Sequence, residues 1–124
     1  MLRLFSLFGR SADLNALDDA LRGCGVHPIL VPEAVKLTVL RLRKGAVAGA
    51  TPAHAATAEL LAYCILGPET FAEANGPGAG DRADARLEAA IAAGDTFDAR
   101  LVLLTLHAGL VAPDIADRIE VEDR

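Results

Sequence analysis

Tryptophan is absent from this 124-residue chain, tyrosine occurs once and phenylalanine four times. A core must therefore be built from Leu, Val, Ile and Ala, whose small side chains let elements pack closely. Cysteine is scarce as well: Cys24 and Cys64 lie 40 positions apart, with no C-x-x-C pattern and no histidines at metal-ligand spacing. That excludes a disulfide framework and a cysteine-rich metal site. Nor is there an apolar run of the roughly 20 residues needed to span a bilayer. The N-terminal apolar stretch, Leu4 to Phe8, breaks at Gly9-Arg10 and meets acidic residues at once, which disfavours a secretory or transit signal. A cytoplasmic protein without membrane insertion is the expectation, and no motif implies a cofactor.

What the chain has in excess is apolar residues, 52% of the total against 23% charged, with a mean hydropathy of +0.33. One domain of this size has a large surface for its volume, so some apolar surface finds no place inside a monomer. A homo-oligomer, or a protein partner with an apolar or acidic surface, follows as the expectation. Charge is unevenly spread: residues 34–58 hold Lys36, Arg41, Arg43 and Lys44 with no acid, whereas residues 59–124 carry a net −8. The basic set is the one plausible contact for a partner. It lacks interleaved aromatics and belongs to a chain of net −5, so nucleic acid is not expected. An acidic protein segment suits it better, and this chain's own acidic C-terminus, from the same or a neighbouring subunit, is one such segment.

Local signals predict an all-α fold: a compact bundle of roughly five to six short helices. Ser11 can cap a helix with Leu14, Leu17 and Leu21 on one face and Gly23 at its end. Residues 32–44 are too long for a lone strand and read as helix. Residues 45–50 read as a flexible loop before a helix started by Thr51-Pro52. On that helix, at 100° per residue, His54, Thr57, Ala58, Leu61, Cys64 and Ile65 share an arc, with Glu59 and Tyr63 opposite. A short helix over 69–74 leads to NGPGAGD, residues 75–81, whose Gly and Pro density predicts a second flexible loop. Residues 82–93, the Gly94-Asp95 turn and a Thr96-capped helix over 96–108 form a C-terminal helical hairpin. The uncharged run LVLLTLHAGLVA, residues 101–112, makes the helix over 96–108 the expected buried centre. Pro113 starts a final helix with Ile115 and Ile119 on one face. The acidic tail, residues 120–124, is expected to fray. The whole of 1–124 reads as one helical domain.

Few residues offer chemistry. His107, near the end of the apolar helix, would matter if it faced a cavity. His54 shares its arc with Cys64, but ten residues of helix place them about 15 Å apart, so a Cys/His pair needs a second helix. GPGAGD resembles a phosphate loop in composition only, since neither a preceding strand nor a following Lys is present. The hairpin cannot read DNA, because its second helix is Leu, Val and Thr on nearly every side. Two functions survive. One is a non-catalytic interaction, regulatory or assembly module; the other is a ligand- or metal-binding protein or enzyme using His54, Glu59, Cys64 and His107 in an interhelical pocket.

Overall fold

A computed structural model describes residues 2–46 and 52–123, with side chains from 12–46 and 52–119. All regular structure among these residues is helical. Seven α-helices follow in order: α1 (Leu2–Gly23), α2 (Glu33–Lys44), α3 (His54–Leu66), α4 (Pro68–Asn75), α5 (Pro77–Ala93), α6 (Phe97–His107) and α7 (Pro113–Asp123). A single 3-10 turn, Pro28–Leu30, precedes α2. No helix among the described residues is long and apolar enough to cross a membrane.

Turn stereochemistry explains most of the breaks. After α1, Gly25 adopts φ +93°, Gly25 N–H donates to Arg22 O and Val26 N–H to Leu21 O. This is the left-handed glycine cap with a buried apolar residue behind it. The helix ends at Gly23, as expected, and the left-handed cap falls two residues later on Gly25. It runs through Ser11 rather than starting there. Between α5 and α6, Gly94 is left-handed and Thr96 Oγ1 accepts from Ala99 N–H at 3.1 Å, so the predicted hairpin turn is present. Pro113 opens α7 as expected.

Four expectations are corrected. The segment 75–81 is not a loop: only Gly76, at φ +95°, separates α4 from α5, and Pro77 takes the first helical position. Gly78 and Gly80 continue the helix, and a Cβ on Gly80 would stand 3.4 Å from Ala72 Cβ, so the glycine lets α5 lie close against α4. The acidic tail is helical through Asp123, where fraying was expected. α3 begins at His54 with Ala53 as its cap, two positions later than Thr51-Pro52 implied. Of the 45–50 loop, Gly45 and Ala46 follow α2; residues 47–51, Thr51 among them, lie outside the described residues.

The fourth correction concerns the centre. α3 is enclosed over most of its length: Thr57, Ala58 and the whole run Leu60 to Cys64 are inaccessible, packed among α1, α4, α5 and α6, while Ala55 and Ala56 in its first turn are exposed. Tyr63, placed outside by the helical wheel, stands edge-on to buried Phe71 with ring centres 5.4 Å apart. α6, expected at the centre, buries Ala99, Leu101, Val102 and Thr105 but leaves Leu103 40% exposed and His107 in solvent. The two helices run parallel. Arg86 ties their N-terminal ends together through Ala56 O and Asp98, and Ala112 N–H donates to Cys64 O near their C-terminal ends.

Candidate functional site

The four cations of α2 do not form one patch. Taken at 100° per residue, Lys36 and Arg43 fall on the face that carries the buried Val39 and Leu40, while Lys44 and Arg41 turn away from it. The contacts agree. Lys36 Nζ, with a side chain only 12% exposed, donates to Asp18 Oδ1 at 3.0 Å and to Pro28 O, which fixes α2 and the 3-10 turn to α1. Arg43 Nε donates to Pro52 O at 2.6 Å. Lys44 lies 3.6 Å from Asp13, and Arg41 is exposed.

The histidines and cysteines are dispersed. His54 sits where the N-terminus of α3 meets α1 and α2. Its Nε2 is 3.5 Å from Asp13 Oδ1, and its buried Nδ1 has no hydrogen-bond partner among the described residues. Burial, then the nearby Arg43 charge, push its pKa below the usual histidine value, against the pull of Asp13. Cys64 lies in the core, where burial pushes its thiol up to about 12. Cys24 is half-buried, and burial and Glu59 raise its pKa too, so neither thiol is activated. His107 stands in solvent at the end of α6, toward the Cys64 end of α3 and away from His54. Glu59 is engaged by Arg82 at 3.0 Å on another side of α3. Thus the structure keeps His54, Glu59, Cys64 and His107 apart, and among the described residues no three His, Cys, Asp or Glu side chains gather at a metal-binding distance.

The closest polar constellation was not singled out by the sequence. α5 presents Arg82, Asp84, Arg86 and Glu88 at alternate positions, which at helical geometry serves three neighbouring helices. Tyr63 Oη donates to Asp84 Oδ1 at 2.7 Å, and Arg118 of α7 donates to the same oxygen at 2.6 Å and to Glu88. Arg86 grips both Asp98 oxygens, at 3.0 and 3.2 Å, and donates to Ala56 O. The Tyr63 hydrogen bond and Arg118 hold the Asp84 carboxyl below its usual range. Burial and Asp84 push the Tyr63 phenol up to about 12. The phenol is thus held protonated, with its ring buried and its hydroxyl committed to Asp84. The cluster is a clamp between helices. Only the lone tyrosine, a residue that needs a partner for its hydroxyl when buried, could have flagged it.

Beside this clamp lies an apolar recess of about 160 Å³ between α5, α6 and α7. Ala90, Ile91, Ala99, Val102, Leu103 and Ile119 line it. Small residues on α5 and α6 open the space, and no polar side chain lines it among the described residues. Among the described residues, Arg100 and Arg118, next in sequence to the lining Ala99 and Ile119, are paired, Arg100 with Asp95 at 2.8 Å and Arg118 with Asp84 and Glu88. No protein-family model, no curated protein and no solved structure matches this chain.

Proposed function

We propose that this protein is a non-catalytic helical interaction module that receives aliphatic side chains of a protein partner in the α5–α6–α7 groove. The supporting observation is the groove itself: an open apolar floor, with Leu103 exposed beside the buried Ala99 and Val102, and with Arg100 and Arg118, next in sequence to lining residues, paired to Asp95 and Asp84. Such a surface excludes water from an inserted aliphatic group, and the paired rim adds little affinity for a charged ligand. The dispersal of His54, Glu59, Cys64 and His107 supports the same reading over a ligand pocket or a metal centre. A regulatory or assembly role in the cytoplasm fits two cysteines that remain free thiols.

The test is a photo-crosslinking amino acid placed at Leu103 in cells, with the exposed Arg22 position of α1 as the control. An adduct formed from 103 and not from 22 is expected. If 103 yields none, or the two positions yield the same adducts, the groove is not an interaction site.

A further inference from the structure

Building on that reading of the groove, we infer that its occupant is a second copy of this chain, which inserts Ile29 and Leu30 of its own 3-10 turn. Ile29 is 81% and Leu30 55% exposed, the two most exposed large hydrophobic side chains among the described residues. They are not loose. Buried Val26, Pro28 and Val31 flank the pair, His27 Nδ1 accepts from Ile29 N–H at 3.2 Å, and Lys36 ties Pro28 O to the Asp18 ion pair. A rigid protruding turn loses little conformational freedom on docking, which is what an interface anchor requires.

The groove has the complementary polarity: about 160 Å³ of mostly apolar space accommodates an aliphatic side chain or two, and its described lining side chains are all apolar. Turn and groove lie on different helices, so one molecule presents both halves of the contact. Net charge favours the pairing as well. Asp18 and Asp13 of α1 pair with Lys36 and Lys44, so the turn and the helices that hold it, residues 12–46, have five cations against four acids, net +1; the segment that bears the groove, residues 77–123, has ten acids against four arginines, net −6. Opposite net charges on the two segments attract one copy to another, and salt screens that attraction. Two copies can exchange turns reciprocally, or more can close head to tail into a ring.

Light scattering coupled to size exclusion, run over a concentration series, measures the mass. The wild-type chain is expected at twice its 12.9 kDa or more, with that mass falling toward the monomer as salt is added. Ile29→Asp and Leu103→Asp each remove one half of the contact, so each alone is expected as a monomer. Both positions are exposed enough for the helical circular dichroism to stay unchanged, which separates lost association from unfolding. The decisive sample is their equimolar mixture. The intact turn of the Leu103→Asp chain still meets the intact groove of the Ile29→Asp chain, so the mixture is expected to return to twice the monomer mass. A monomeric wild type, single variants that stay associated, or a mixture that stays monomeric would each overturn the inference. An adduct from position 103 to a different protein, with a monomeric wild type, leaves the groove reading standing and removes only this one. Absence of any adduct removes both.

Discussion

Truncating Leu61 and Leu103 to alanine, one at a time, asks which helix holds the bundle together. Leu61 of α3 is wholly inaccessible, whereas Leu103 of α6 leaves 40% of its surface in water. Each substitution removes three carbons, worth about 2–3 kcal/mol in transfer free energy if fully buried. At Leu61 the surrounding side chains close only partly over the gap, and the cavity raises the loss to about 3–5 kcal/mol. At Leu103 part of the side chain is already hydrated and the space opens to solvent, so the loss is about 1 kcal/mol. Against a typical total of about 5–15 kcal/mol, the difference is large. Urea unfolding reads it directly as a shift in midpoint at unchanged slope. Thermal unfolding should show it as about 12–20 °C for Leu61→Ala and about 4 °C for Leu103→Ala, at about 4 °C per kcal/mol for a chain of this length. Equal losses within about 0.5 kcal/mol, or a larger loss at Leu103, would restore α6 as the centre and refute the packing described above.

Three further outcomes can be checked. The imidazole of His54, followed by NMR, should titrate below 6.5, with Arg43→Met moving the midpoint up and Asp13→Asn moving it down. Because the depressed value favours the neutral ring in the folded state, this group's share of stability is present above pH 6.5 and is lost as pH falls below it; a midpoint at or above 6.5 would contradict the buried setting. Tyr63→Phe should cost about 1–2 kcal/mol at neutral pH by stripping Asp84 of a hydrogen bond. Since the folded phenol is held protonated to about 12 while an unfolded tyrosine ionises near 10, wild-type stability should fall as pH rises from 10 toward 12, and this fall should be smaller in Tyr63→Phe, as measured by urea midpoints. Gly25→Ala places a Cβ 2.9 Å from Ala74 Cβ at a left-handed φ and should cost about 2 kcal/mol in thermal melts. Gly23→Ala, in a helix with open space around it, should cost nothing.

Much of the helix count was legible because its signals are local. Gly94, Thr96 and Pro113 act through backbone conformation and a single capping bond, and each is found in that role. The same local logic misled at NGPGAGD, where a proline that starts a helix and a glycine that caps one were read as a loop. Of the site residues, Lys36 reads as available to a partner because no sequence pattern links it to Asp18, 18 positions earlier. Arg118 and Asp84 are 34 positions apart, and their clamp on Tyr63 was likewise invisible.

By itself the sequence determined that the chain is helical, that its core is aliphatic, that it carries no disulfide framework, and where most helices stop. These follow from composition and from stereochemistry within a turn or two of each break. Only the tertiary structure decided that α3 rather than α6 is enclosed, that three of the α2 cations are occupied within the molecule, and that the histidines stay apart. α3 and α6 are both rich in aliphatic residues, and periodicity cannot say which of two apolar helices will be surrounded. That choice depends on neighbours contributed from distant parts of the chain, and the groove left beside α6 is its consequence.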